Sequence, residues 1–194
     1  MPRIARLIPP KGYLHVICRG NNRRKLFRSE RNYKAYYAFL KKVKEEESVK
    51  IFHYCFMPNH VHFLVGVRED SQLSRFIKRL NLTYSAYYRY RYNYSGYLWQ
   101  GRFRSKIIKD EDYFLQCGKY IELNPVRANM AQSPKDYAFS SYLHYAHGVY
   151  DEILDEDPLY CRLGKNSKEK MLAYQRMIIP EDLFTSDSKI SMPL

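Results

Sequence analysis

Residues 56–67, with the sequence FMPNHVHFLVGV, predict a β-hairpin around which the other elements can be arranged. The Met-Pro-Asn triplet at 57–59 separates two strand-like runs, 51–56 and 60–67. In the second run His60 and His62 share one face, roughly 6.6 Å apart along the backbone. The intervening apolar residues (Val61, Phe63 and Val65) take the opposite face and are expected in the core. The hairpin therefore presents two imidazoles on one side of a sheet.

The elements on either side of this hairpin alternate between strand and helix. Residues 13–18 have a strand pattern, residues 29–47 have the apolar spacing of a helix, and a long helix is predicted from 71 to 88. Residues 103–109 predict a fourth strand. A helix from 112 must end near Asn124, because Pro125 disfavours helical geometry in the residue before it. This order is that of a split βαβ plate. We therefore expect an α+β, ferredoxin-like fold, with an antiparallel four-stranded sheet and helices packed on one face.

Positive charge is concentrated in the first part of the chain. The 194 residues include 33 Lys and Arg against 20 Asp and Glu, which gives a formal net charge of +13. Residues 1–110 carry 24 basic and 7 acidic side chains, whereas residues 111–194 carry 9 and 13. An excess of this size favours a polyanionic partner, and its position indicates that this partner contacts mainly the first part.

An acidic run at residues 151–157 marks a change of composition. We therefore expect residues 1–148 to form the main domain and residues 149–194 an acidic linker and helical tail, with the acidic run itself as a solvated surface. The four cysteines form no CxxC pair, so the sequence offers neither a zinc ribbon nor a thiol redox motif. Reduced thiols, and the absence of an apolar run long enough to span a membrane, are typical of a soluble cytoplasmic protein without membrane contact.

A second group of candidate residues lies in the last of these predicted helices. Tyr120 and Asn124 are four residues apart, so their β-carbons lie roughly 5–6 Å apart on one face. The Asn124 amide oxygen is a hard ligand that, with two imidazoles and water, suits Mg²⁺ or Mn²⁺. Tyr120 would then lie beside a metal that polarises a scissile phosphate. Tyr113, seven residues earlier, is the alternative nucleophile, but it has no ligand one turn away.

Three stretches together resemble the REP-associated tyrosine transposases, relatives of the single-strand insertion-sequence transposases of the HUH class. They are His60-Val61-His62 after Met57-Pro58-Asn59, the WQGRF segment at 99–103, and residues 120–127; the RGNNR turn at 19–23 also fits. The resemblance spans roughly residues 12–145. It implies a ferredoxin-like catalytic domain in which His60, His62 and Asn124 hold Mg²⁺ or Mn²⁺. It also implies that Tyr120 cleaves single-stranded DNA near imperfect hairpins through a 5′-phosphotyrosine and that the strand is then rejoined, without a nucleotide cofactor.

Candidate DNA contacts are the polar residues of these motifs and the alternation of aromatic residues and arginine at residues 84–94. Bases stack on rings while guanidinium groups bind phosphate, as in proteins that bind single strands. The predicted set is Arg19, Asn21, Asn22, Arg23, Arg24, Arg89, Arg91, Trp99, Arg102, Arg104 and Arg127. Tyr92 and Tyr94 are added as stacking residues, whereas Tyr84, Tyr87 and Tyr88 are assigned to the helix core. The expected partner is single-stranded or hairpin DNA, bound by a monomer or a homodimer.

Two other functions are compatible with the same residues. In the first, the fold binds structured nucleic acid without catalysis, His60 and His62 are structural, and Tyr120 is a core tyrosine. In the second, a metal-dependent nuclease uses activated water and releases a free 5′-phosphate. A covalent protein–DNA adduct that requires Tyr120 would separate a transposase-type enzyme from both.

Overall fold

A computed structural model describes residues 12–67 and 70–178 of the chain. The expected helix and strand pattern is present, and three further helices follow the fourth strand and its helix. The elements are β1 (Gly12–Arg19), α1 (Glu30–Glu47), β2 (Lys50–Met57), β3 (His60–Val67), α2 (Asp70–Tyr92), β4 (Arg104–Ile108), α3 (Glu111–Glu122), α4 (Asn124–Arg127), α5 (Tyr142–His147) and α6 (Ser167–Ile178).

The four strands form one sheet in the order β2-β3-β1-β4, and every neighbouring pair is antiparallel. This is the strand order of the ferredoxin-like split βαβ plate, so the predicted fold class is confirmed. The β2–β3 hairpin turns at Pro58 and Asn59, as the sequence predicts. β1 and β3 lie at the centre of the sheet, so the His-Val-His stretch has a neighbouring strand on each side.

Helices α1 and α2 pack on one face of the sheet and enclose the larger core. Apolar residues at helical spacing, among them Tyr36 and Leu40 of α1 and Phe76 and Leu80 of α2, are fully buried there. The strands contribute Val61, Phe63 and Val65 to this core, as expected from the alternation in β3. The alternate residues of β3 that begin at Val61 therefore face these two helices.

Helix α3 packs on the opposite face, where it forms a second core with Phe52, Leu64 and Ile108. The predicted one-sided arrangement therefore describes α1 and α2 but not α3. The reason lies in β2, whose residues from Ile51 to Met57 are all buried, as in strands covered on both faces. An irregularity between Ile51 and His53 shifts the register, so that Phe52 and His53 both face α3.

Residues 149–178 pack back onto the domain. Tyr37 and Tyr54 both donate hydrogen bonds to Asp151, Lys44 forms an ion pair with Asp155, and Asp157 is only 2% exposed. The expectation that the acidic run is a solvated surface is therefore wrong for these carboxylates, because polar groups of the domain face them: tyrosine hydroxyls, a lysine and, for Asp157, the imidazole of His53. The rest of the predicted tail, residues 179–194, lies outside the described residues. None of the helices described here has the length and apolarity needed to cross a bilayer.

Candidate active site

Strand pairing gathers the candidate side chains on the face of the sheet that α3 covers. Directly paired residues of antiparallel strands share a face. In β1, Arg19 pairs with His60 and Ile17 with His62, while Ile17 also pairs with Arg104 of β4. Arg19 therefore lies directly opposite His60, whereas Arg104 lies one strand further from His62, beyond Ile17.

His60 and His62 lie side by side, with ring centroids 4.8 Å apart, so the predicted common face is confirmed. The Nδ1 atom of His60 lies 2.6 Å from the Oδ1 atom of Asn59, and an amide oxygen accepts only, so Nδ1 donates. The lone pair of His60 is then on Nε2. Burial, reinforced by the charge of Arg19, lowers the pKa of His60 to about 4, so this imidazole is neutral at physiological pH.

His62 is almost completely buried, and one of its nitrogen atoms lacks a partner. Its Nδ1 atom lies 2.9 Å from Nε2 of His15, whereas its Nε2 atom has no hydrogen-bond partner among the residues that the structure describes. Burial, and then the charges of His15, His60 and Arg19, lower the pKa of His62 well below its usual value. A buried polar atom without a partner is costly in a folded protein. A cation bound at Nε2 would satisfy it.

Tyr120 lies beside these histidines. Its ring centroid is 5.9 Å from that of His62 and 5.8 Å from that of His15, in edge-on contacts. The guanidinium carbon of Arg127 lies 5.0 Å from the centre of the same ring. Tyr113, the alternative nucleophile, is two turns earlier, about 10 Å along the axis, with Nζ of Lys106 4.9 Å from its ring centre.

The side chain of Asn124 is hydrogen-bonded to the backbone of α3, next to Tyr120. Its amide nitrogen donates to the carbonyl oxygens of Tyr120, at 2.8 Å, and Ile121, at 3.3 Å, which leaves the amide oxygen for an external partner. Between residues 12 and 178, apart from the undescribed pair 68–69, Asn124 makes no hydrogen bond to His60 or His62. The same part of the chain contains no cluster of three His, Cys, Asp or Glu side chains suited to a metal ion. A metal held by the two histidines would therefore need an amide or water oxygen to complete its ligands.

A small cavity of about 70 Å³ adjoins the paired strands beside the histidines. Ile17 and Gln100 line it together with Arg19, Arg102 and Arg104. Guanidinium groups bind phosphate oxygens in a fork geometry. Three of the arginines predicted to contact DNA therefore meet at one place, next to the histidine pair.

The other predicted DNA contacts lie mostly on the turn after β1 and at the end of α2. The backbone N–H of Gly20 donates to the carbonyl of Asn59, so the turn with Asn21, Asn22, Arg23 and Arg24 is held against the histidine hairpin. The guanidinium carbon of Arg24 lies 4.4 Å from the ring centre of Tyr94, which joins the turn to the end of α2 near Arg89 and Arg91. Trp99 is half-buried and its indole N–H donates to the carbonyl of Asn81.

The aromatic residues after Tyr84 divide differently from the prediction. Tyr84 and Tyr88 are buried and Tyr87 is half-buried, so these three belong to the helix packing as expected. Tyr92 and Tyr94, predicted to stack on bases, are half-buried, and their hydroxyls donate to Asn32 and to the carbonyl of Tyr97. The exposed rings are those of Tyr90, 93% exposed, and Tyr97, 81% exposed. The sequence pattern located the aromatic segment but not its exposed members.

His15 is not among the residues that the sequence predicts for the site, yet it contacts both His62 and Tyr120. The signal that could have found it is strand pairing, because His62 pairs with Ile17 and His15 lies two residues from Ile17, on the same face of β1. That register is absent from the local sequence pattern.

A ferredoxin-like sheet that brings an His-X-His pair against a tyrosine-bearing helix is the architecture of the HUH-class, single-tyrosine proteins. Within that class, the chain belongs to the family described as IS200-like transposases, whose sequence profile matches residues 10–124, more than half of the chain.

Individual relatives agree with this assignment. A protein of Haemophilus influenzae (strain ATCC 51907 / DSM 11121 / KW20 / Rd) that carries the name REP-associated tyrosine transposase is 28% identical over 119 residues, which are 53% of this chain. The match spans 62% of that relative's length. The solved structure of a REP-associated tyrosine transposase bound to a REP hairpin superposes with a TM-score of 0.60 at 21% identity, and covers 81% of this chain and 93% of that one. The last comparison shows that the two chains share a fold.

Proposed function

We propose that this protein is a DNA-cleaving and strand-joining enzyme that acts on single-stranded DNA at hairpin-associated sites. In this proposal Tyr120 is the nucleophile, and His60, His62 and Asn124 hold Mg²⁺ or Mn²⁺. Family membership supports the reaction class, and a relative of the same fold has been solved with a REP hairpin.

The observation that carries the proposal is the position of Tyr120 against His62. A buried imidazole whose Nε2 atom lacks a partner lies 5.9 Å, ring centre to ring centre, from a half-buried phenol. If the two histidines were only structural, a buried imidazole such as that of His62 would be expected to have hydrogen-bond partners at both ring nitrogens. A phenol beside an open ligand position has instead the arrangement needed for metal-assisted attack on a phosphate.

The residues present fit a divalent cation. Both histidines are neutral at physiological pH, so each can offer a lone pair, and Asn124 keeps its amide oxygen available. When bound, the cation would supply Lewis-acid polarisation of the scissile phosphate. The side chains of His60 and His62 would orient it from the sheet, while Asn124, the first residue of α4, would approach from just beyond the helix that carries the nucleophile.

The proposed cleavage step exchanges one phosphate ester for another. The Tyr120 oxygen bonds to phosphorus and its proton passes to solvent, while the bond from phosphorus to the 3′ oxygen breaks and the departing 3′ oxygen takes a proton from solvent. The products are a 5′-phosphotyrosine and a strand with a free 3′ hydroxyl. Because the ester bond is conserved, attack by a 3′ hydroxyl reverses the step and joins strands. Arg19, Arg102 and Arg104 lie around a cavity beside the histidines, where they can bind the phosphate oxygens.

The test is adduct formation with a DNA hairpin that carries a single-stranded flank, in the presence of Mn²⁺. We expect a protein–DNA adduct that survives SDS, is lost in Tyr120→Phe and persists in Tyr113→Phe, the matched tyrosine of the same helix. Hairpin binding should be equal in all three proteins. Tight binding without an adduct in the unsubstituted protein would support a non-catalytic binder. Cleavage that tolerates Tyr120→Phe and releases a free 5′-phosphate would support a nuclease that uses activated water.

A further inference from the structure

The end of helix α3 is attached to the sheet by a buried cluster that the cleavage chemistry does not use. Glu122, the last residue of α3, is completely buried, and its Oε1 atom lies 3.0 Å from Nδ1 of His53 on β2. The other ring nitrogen of His53 lies 3.0 Å from Oδ2 of Asp157. One imidazole therefore bridges a carboxylate of the tyrosine-bearing helix and a carboxylate of the segment beyond the family-matched region.

The carboxylates of this cluster are satisfied by several separate elements. Ser141 donates to Oε1 of Glu122 at 2.6 Å, and Tyr174 of α6 donates to Oε2 at 2.7 Å. Oδ1 of Asp157 accepts from the backbone N–H groups of Leu159, at 2.7 Å, and Tyr160, at 3.1 Å. Buried charges contribute to a fold only when they are paired and hydrogen-bonded in this way. The end of α3 is therefore tied to β2 directly and to residues 141–174 through side chains.

A glycine lets α3 approach the sheet closely at the same place. A Cβ atom at Gly118 would lie 2.9 Å from Nε2 and 3.0 Å from Cε1 of His53, closer than real contacts allow. The ring of His53 cannot move aside easily, because both of its nitrogen atoms are held by carboxylates. Helix α3 thus crosses β2 over His53 at Gly118 and is fixed at Glu122.

Tyr120 lies midway between these two points, about 3 Å along the helix axis from each. Its ring contacts with His15 and His62 therefore depend on the axial position and rotation that the cluster sets. A displacement of about 1 Å at a reacting group can reduce a rate by about 10²-fold. Because its contacts at Gly118 and Glu122 lie only about 3 Å along the axis from Tyr120, the His53 cluster would control where the Tyr120 ring lies.

We infer that Asp157 and Tyr174 act as a clamp on α3 and, through His53 and Glu122, hold Tyr120 in register with the histidine pair. These are positioning residues, and the inference rests on the proposed role of Tyr120. The C-terminal segment thereby gains a function in catalysis, although it does not contact the reacting atoms.

The experiment compares two tyrosines of this segment that each lose one hydroxyl. Tyr174→Phe removes a hydrogen bond to Glu122, whereas the matched control Tyr160→Phe removes one to the carbonyl of Tyr145. Asp157→Asn should disturb the cluster more, because it removes the charge that faces His53. Tyr174→Phe removes only one hydroxyl and is therefore the variant expected to fold in any case. The readouts are hairpin affinity, the single-turnover rate of adduct formation at saturating hairpin with Mn²⁺, and amide hydrogen exchange of residues 118–124 in the unbound protein.

We expect Tyr174→Phe to lower the rate at saturation at least tenfold, with hairpin affinity unchanged within twofold and faster amide exchange at 118–124. Tyr160→Phe should change neither the rate nor that exchange. Equal effects of the two variants would show a general loss of stability and would overturn the clamp, as would unchanged exchange at 118–124 in both Tyr174→Phe and Asp157→Asn. If the unsubstituted protein forms no adduct, the proposed function fails, and the exchange measurement still decides whether α3 is clamped.

Discussion

The Nε2 atom of His15 lies 2.9 Å from the Nδ1 atom of His62, and the two rings are nearly parallel. If Nε2 of His62 is the ligand atom, its proton is on Nδ1, and Nδ1 then donates to His15. Burial, assisted by the charge of Lys106, lowers the pKa of His15 to about 4, which keeps this acceptor neutral. Histidine ligands are commonly oriented in this way by a hydrogen bond at the other ring nitrogen.

The first prediction concerns this pair. His15→Leu should reduce the affinity for Mn²⁺ by roughly 10–100-fold, because His62 loses the acceptor that fixes its tautomer and ring orientation. Titration calorimetry of the DNA-free protein measures this without reference to cleavage. His144→Leu, which removes a histidine bonded to the carbonyl of Val149, serves as the control and should leave the affinity unchanged. Equal affinity in His15→Leu and the unsubstituted protein would contradict an orienting role.

The histidine arrangement also shows how far the sequence alone could lead. The period of a strand was enough to place His60 and His62 on one face, and helical spacing was enough to relate Tyr120 to Asn124. His15 and Asp157 escaped prediction for a common reason. Each acts through a partner 47 or 104 residues away, so its position depends on strand register or on the path of the C-terminal segment. The face on which α3 packs could not be predicted either. The buried strands are apolar on both sides, so their sequence does not show which side a given helix covers.

The second prediction concerns the arginines around the small cavity. Arg104→Ala should weaken hairpin binding and reduce the slope of log K against log salt concentration by roughly 0.7–0.9, the value for loss of one phosphate contact. The control is Lys34→Ala, because Lys34 lies on α1, over the opposite face of the sheet, and pairs with Glu30. Binding measured between 50 and 200 mM salt gives both slopes. If Arg104→Ala and the unsubstituted protein have the same slope, the Arg104 side chain does not contact phosphate.

The third prediction concerns the exposed ring of Tyr97. Arg89 donates to the carbonyl of Gly96, the residue before Tyr97, so the Tyr97 ring lies next to the basic end of α2. If bases stack there, Tyr97→Ala should weaken binding of a single-stranded flank by roughly 1–3 kcal/mol. Tyr150, 85% exposed in the segment beside the acidic run, is the matched control. Fluorescence anisotropy measures the affinity of each variant for a hairpin with the single-stranded flank and for the same hairpin without it. A loss of the same size for the hairpin without a flank would argue against base stacking.

The last prediction concerns pH and the buried imidazole of His53. Burial opposes its charge, but the hydrogen bonds and charges of Asp157 and Glu122 prevail and raise its pKa to about 9. Because an unfolded histidine titrates near 6.5, this stabilisation is complete below about pH 6.5 and is lost as pH rises through about 9. The contribution of His53 to the free energy of unfolding should therefore fall by roughly 2 kcal/mol between pH 6.5 and 8.5, a window that ends before most thiols and tyrosines ionise. His15, His60 and His62, whose pKa values are lowered, oppose this loss by roughly 1 kcal/mol in total, because their unfolded forms lose the remaining protons in this window, so the net fall is roughly 1 kcal/mol. Urea unfolding across this window measures the slope, and His53→Gln, although less stable at pH 6.5, should gain roughly 1 kcal/mol of stability by pH 8.5 because the lowered pKa values of the other buried histidines then dominate. A His53→Gln protein that loses as much stability across the window as the unsubstituted protein would mean that other groups cause the pH dependence.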